Sequence, residues 1–283
     1  MSILVTGATG TVGRHLVAQL AARAADLRAM SSRPDAAVPD GVPIVHADWR
    51  APDSLRRAFS GVHTLFLLLP LAPDKPALAR AAVDAARAAG VRHIVRLSAA
   101  GADAGSDEPF ARMQGEIDAV VTGAGLPWTL LRPSGFMQNY VTYGAAMIRG
   151  GRYFAAHGDT PQPLVDAADI AACAAAVLSD PPAHAGAVYA PSGARAWTHH
   201  ETMAVIGAAL GRPVAYVPID DAAAQAALQG MGLPPPLVDW MLSLNRLVRS
   251  GAISRMSDDV QRLTGSAPRT FEDFVQAHLA AWR

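Results

Sequence analysis

The stretch that most constrains this chain is VTGATGTVG, Val5 to Gly13. Its glycines stand at Gly7, Gly10 and Gly13, behind the apolar run Ile3-Leu4-Val5 and ahead of RHLVAQLAARA. A short β-branched run, a glycine turn and an amphipathic helix open a βαβ unit. Gly7 permits the turn, Gly10 lets main chain approach a pyrophosphate, and Gly13 lets the helix pack close on the strand. Such a turn gathers main-chain N–H groups and a helix N-terminus at one point, where they bind phosphate.

The rest of the first half keeps this rhythm. Strands are expected at 3–6, 27–31, 43–47, 64–69, 93–98 and 128–132, with helices at 13–24, 52–59, 76–89 and 110–122. Gly90 and Gly125 stand where helices end. Right-handed crossovers predict an α/β Rossmann fold, a doubly wound parallel sheet in the order 3-2-1-4-5-6. Beyond Pro133, DAADIAACAAAVLSD reads as a helix and GAVYAP as a strand returning to the sheet. THHETMAVIGAAL opens on a capping box, Thr198 to Glu201, which puts His199 and His200 on a first helical turn. From Asp220 onward the chain reads as mostly helical, and its basic residues, Arg246 and Arg249 among them, as a solvated face. The expected domains are 1–155, completed by a helix and strand from about 165–193, and a mostly helical substrate-binding cap, 194–283, which also receives 134–160. Open α/β folds bind ligands at the sheet's carboxyl edge, beneath such a cap.

Composition narrows the function classes. The 283 residues are 51% hydrophobic, enough for one core or two joined lobes. Zero net charge gives no electrostatic footprint for nucleic acid or an anionic membrane. Cys173 is the only cysteine, so intrachain disulfides are impossible, and the chain opens on a strand rather than a basic leader; both suit the cytoplasm. The apolar run TLFLLLPLA is too short to span a bilayer. A monomer or homodimer acting on a small molecule is expected, with no metal, since no His or Cys stands at ligand spacing near His199 and His200.

The spacing Gly-x-x-Gly-x-x-Gly within TGATG resembles the short-chain dehydrogenase/reductase superfamily. The nucleotide's identity is set at the end of the second strand. An acid there would suit NAD; this chain has SSR, Ser31 to Arg33, whose guanidinium and hydroxyls suit the extra phosphate of NADP(H). The resemblance implies that the coenzyme lies against the loop, including Thr9, Thr11 and Val12, with Asp48 at the adenine amino group beside Trp49. It further implies contacts from Leu68, Leu69 and Pro70, then Ser98 and Pro133.

The superfamily's usual acid–base dyad is Tyr-x-x-x-Lys. Lys75 is the only lysine, and the residue four before it is Leu71, so this chain cannot supply that dyad. What remains is similar to the atypical, NmrA-like branch. The matching segments are VTGATGTVG, HIVRLSAAGA, GLPWTLLRPSGFMQN, LVDAADIAA and DDVQRLTGSAPRTFEDFV. That branch includes NADPH-dependent quinone, azo-dye and triphenylmethane reductases, iminium reductases and redox sensors. Many members carry a His or Lys four residues before a Glu on the helix after strand five; here the positions are Gln114 and Asp118.

Ser98 either bonds a substrate oxygen or the nicotinamide amide, or caps its strand end. The loop RPSGFMQNY is expected beside the nicotinamide, with Gly135, Phe136, Met137, Asn139 and Tyr140 offered to a planar substrate, or, for any one of Phe136, Met137 and Tyr140, simply packing a helix under the cap. Tyr140 is the candidate proton donor with Ser98, although a phenol lacking a lysine neighbour is a poor base. The expected activity is hydride transfer from NADPH to an electron-poor planar molecule: a quinone, an enone or an iminium. A silent NADP(H)-binding regulator, or an enzyme of redox-neutral rearrangement or cyclisation, stays open as the alternative.

Overall fold

The computed structural model describes residues 2–23 and 25–283. A seven-stranded sheet forms its centre, with every pairing parallel. The strands are β1 (Ile3–Val5), β2 (Leu27–Ser31), β3 (Ile44–His46), β4 (Thr64–Leu67), β5 (His93–Leu97), β6 (Trp128–Leu131) and β8 (Ala187–Tyr189). Their spatial order is β3-β2-β1-β4-β5-β6-β8, so the expected six-strand order holds and the returning strand extends it at the β6 edge.

Helices α1 (Gly13–Ala22) and α6 (Ala167–Ser179) cover one face, while α2 (Pro52–Phe59), α3 (Lys75–Ala88) and α4 (Pro109–Thr122) cover the other. Both layers bury apolar side chains against the sheet, as parallel strands with two covered faces require. The expected end of the first helix, Ala24, lies outside the described residues. Apart from β2, the strands end a residue or two earlier than their apolar runs. At β4 the reason is visible: the Thr6 hydroxyl takes the Leu68 N–H at 2.8 Å, replacing the next main-chain pairing.

The remaining elements build over the carboxyl edge. A 3₁₀ turn (Met137–Tyr140) and α5 (Ala145–Arg149) lead to β7 (Arg152–Ala155), which pairs in parallel with β9 (Ala215–Pro218). Helices α7 (His199–Leu210), α8 (Asp221–Gly230), α9 (Pro235–Arg249) and α11 (Phe271–Ala277) complete this part. By contrast α10 (Asp259–Thr264) packs back on the α6 layer through Val260 and Leu263. Among the described residues no helix is long and apolar enough to cross a membrane.

Candidate functional site

The glycine loop joins β1 to α1, and its geometry follows from the three glycines. Gly7 has φ +62°, in the left-handed region, and Gly10 N–H donates to Gly7 O at 2.9 Å. A Cβ on Gly13 would stand 2.1 Å from that same carbonyl oxygen, so only glycine lets the helix start there. Gly10 sits exposed at the tip, where an added Cβ would stand 3.2 Å from the Gly7 carbonyl oxygen. At α1 no side chain caps the N-terminus, and the N–H groups of Thr11 and Val12 donate to nothing among the described residues. Free donors at a helix start fit a pyrophosphate.

The SSR segment closes over this loop. Ser31 Oγ accepts the Arg33 N–H at 3.0 Å, and Arg33 Nη2 donates to Thr9 Oγ1 at 2.9 Å. An exposed guanidinium thus lies beside the loop at the end of β2, where a ribose phosphate would sit. Asp48 is exposed after β3, while Trp49 and Leu69 turn into the core and Val12 is buried. From those three only main chain is left for a nucleotide. Leu68 lies within 3 Å of any Cβ on Gly7, so it flanks the turn directly.

Beside this, at the ends of β5 and β6, stands a buried ionic network. Asp118 of α4 accepts Ser98 Oγ at 2.9 Å, Arg132 Nε at 2.9 Å and Arg132 Nη2 at 2.8 Å, and pairs with Arg96. Arg96 Nη2 also donates to Gln114 Oε1 at 2.7 Å. Arg96 is 1% exposed and Asp118 3%, so each charge depends on the other. Gln114 and Asp118, the positions of an acid–base pair in the resembling branch, are therefore held in an ion-pair lattice. Ser98, itself buried, donates its hydroxyl proton to that lattice.

The loop after β6 departs from expectation. Pro133 is buried, Ser134 Oγ bonds Pro163 O, and Val165 N–H donates to Gly135 O at 2.9 Å. Phe136 is half-buried and Asn139 exposed. Met137, expected in a substrate wall, is 1% exposed in the apolar core of the cap. Tyr140, expected as a proton donor and substrate contact, is 2% exposed there, its hydroxyl 2.9 Å from His199 Nδ1 and 3.2 Å from Thr202 Oγ1. Burial pushes its pKa well above the ordinary phenol value. Both side chains belong to a core that α7 and α11 supply, which local sequence does not reveal. His199 Nε2 in turn meets His157 Nδ1 at 2.8 Å, and His157 Nε2 meets Asn245 Oδ1 at 3.0 Å.

A glycine loop, an uncapped helix start and a basic loop after β2 define a dinucleotide-binding α/β protein. The chain belongs to the NAD(P)H-binding family, whose profile matches residues 7–181. It is 35% identical to the NAD(P)H azoreductase of Xenophilus azovorans, over 99% of each chain. It is 37% identical to the (4-alkanoyl-5-oxo-2,5-dihydrofuran-3-yl)methyl phosphate reductase of Streptomyces griseus subsp. griseus, again over 99% of each. The NADPH-bound quinone oxidoreductase QOR2 of Escherichia coli superposes with a TM-score of 0.86 at 29% identity, covering 97% of this chain and 99% of that one. The chain is an NAD(P)H-dependent oxidoreductase.

Proposed function

We propose that the protein is an NADPH-dependent reductase acting on electron-poor planar organic molecules: quinones, enones or iminium ions. Bound NADPH supplies the hydride. The chain holds the coenzyme through the glycine loop, the free N–H groups of Thr11 and Val12, and Arg33.

The observation that carries the acceptor class is the lattice around Asp118. With Gln114, Asp118 and Ser98 all committed to ion pairs and hydrogen bonds, the superfamily's acid–base position offers no strong acid. Electron-poor conjugated acceptors need little such help, because their difficult step is hydride delivery in a near-attack geometry. The substrates that the relatives' names give support the same class. An azo group, a quinone and an oxo-dihydrofuran bearing an acyl group are all conjugated and electron-poor. The test is NADPH oxidation by the purified protein with a panel of quinones, enones, iminium ions and simple ketones. Turnover with the conjugated acceptors and none with the ketones is expected; ketone reduction, or no turnover at all, would contradict it.

A further inference from the structure

We propose that Trp240 of α9, backed by Phe110 of α4, recognises the acceptor: the indole packs on a planar conjugated ring, and its N–H donates to a carbonyl oxygen of that ring. This rests on the reductase reading above and narrows its acceptors to planar carbonyl compounds, quinones and enones before iminium ions.

Hydrogen bonds and packing place these rings at the end of β5. Phe110, Gln114 and Asp118 stand four residues apart on α4 and so share one face of the helix. That face is turned to β5, since Asp118 accepts the Ser98 hydroxyl at 2.9 Å and Gln114 accepts Arg96 Nη2 at 2.7 Å. Phe110 therefore lies one turn, about 6 Å, farther toward the carboxyl edge than Gln114. There it shares an apolar cluster with Ala99, the residue after Ser98, and with Leu244, Leu247 and Ile253. Trp240 joins the same cluster, its ring centroid 4.8 Å from that of Phe110 and tilted by 44°. The neighbouring Ala100 N–H donates to Pro133 O at 2.9 Å, which ties this point to the loop after β6.

The indole nitrogen is the feature that asks for a ligand. It is closed off from solvent and donates to nothing among the described residues, although the Trp240 side chain as a whole is only part-buried. A buried indole N–H ordinarily has a partner, and this is the one polar side-chain atom of the cluster. The ring is also held where it stands. Phe110 N–H donates to Ser243 Oγ at 2.7 Å, the Ser243 hydroxyl donates to Trp240 O at 3.1 Å, and Arg246 Nη2 donates to Glu108 at 2.7 Å. These bonds fasten α9 to the start of α4 and leave the indole nitrogen unpaired. A quinone or enone supplies what is missing, a flat apolar face for the rings and an oxygen for the N–H. An iminium ion has no lone pair to accept that hydrogen and gains only the ring contact. Met137 and Tyr140, the aromatic and apolar groups nearer the β6 loop in sequence, are already spent on the cap core.

The test uses Trp240→Phe, which keeps a ring and removes the N–H, and Trp240→Leu, which removes both. The probes are 2-methyl-1,4-naphthoquinone and an N-methyl-3,4-dihydroisoquinolinium ion. Trp240→Phe should raise KM for the quinone about tenfold, with kcat and the KM for the iminium ion within about threefold of native. Trp240→Leu should raise KM about tenfold or more for both, and NADPH affinity should stay within about threefold in either variant. A second readout is independent of turnover. In protein labelled with 5-fluorotryptophan, the signal of Trp240 is the one of five that Trp240→Phe removes. Adding the naphthoquinone to the NADP⁺ complex should shift that signal more than the other four. A quinone KM that does not rise in Trp240→Phe, or one that rises equally with the iminium ion or with the loss of NADPH affinity, would make Trp240 a packing residue and overturn the proposal. So would a fluorine signal that the quinone leaves in place. Either result leaves the reductase reading intact, whereas an inactive native protein removes that reading and the fluorine signal then decides the site alone.

Discussion

Arg33 and Tyr140 illustrate what single residues disclose. Arg33 was legible because its neighbours are local in sequence: Ser31 accepts its N–H, and Thr9 lies on the loop that the glycines already announce. Reversing its charge with Arg33→Glu should weaken NADPH binding by about 2 kcal/mol or more and barely affect NADH. Isothermal calorimetry with both coenzymes checks this, and equal losses for the two would contradict it. Tyr140 was not legible, because the groups that bury it, His199 and Thr202, lie about sixty residues on in the chain. Tyr140→Phe leaves the buried His199 Nδ1 and Thr202 Oγ1 without their shared hydroxyl partner, so it should cost about 1–2 kcal/mol of stability while retaining most of kcat. Urea unfolding and a rate assay separate the two effects; a thousand-fold loss of rate in a stable variant would restore the tyrosine as an acid.

Elements were readable where their signal is periodic or local. The strands of the parallel sheet, and the capping box at α7, stand where the sequence puts them, with Glu201 N–H donating to Thr198 Oγ1 at 3.2 Å. The pair β7 and β9 went unseen, since each has four residues and its partner lies about sixty positions away. Arg246 and Arg249 of α9 read as a solvated face yet grip Glu108, the residue before α4, and Asp221 of α8. The cap's buried histidines carry a prediction at this scale. Burial, offset in part by the Asn245 hydrogen bond, holds His157 at about 4; burial and the neighbouring His157 hold His199 at about 3. Both folded values lie below the unfolded 6.5, so their stabilising effect is complete above that value and is lost as pH falls through it. Each should cost about 2 kcal/mol at pH 5 relative to neutrality. Urea midpoints of the native chain and of His157→Gln at both pH values check this. A native midpoint that does not fall, or a variant equally acid-sensitive, would contradict it.

At the scale of the whole molecule, one sheet edge collects the uncapped helix start, the basic loop after β2 and the Asp118 lattice. The fold and coenzyme loop could be read from spacing alone, because glycine turns and apolar periods are imposed by the backbone. The residues of the loop after β6 could not, since their burial depends on distant segments, as Met137 and Tyr140 illustrate. Hydride delivery to a conjugated acceptor is the central claim, and isotope transfer tests it most directly. NADPH deuterated at the nicotinamide C4 position, each stereoisomer in turn, is incubated with the protein and an enone, and the product is analysed by mass spectrometry. One stereoisomer should place a single deuterium on the β-carbon of the product and slow the reaction, while the other places none. Product without deuterium from either stereoisomer, or coenzyme bound and never consumed, would contradict the account.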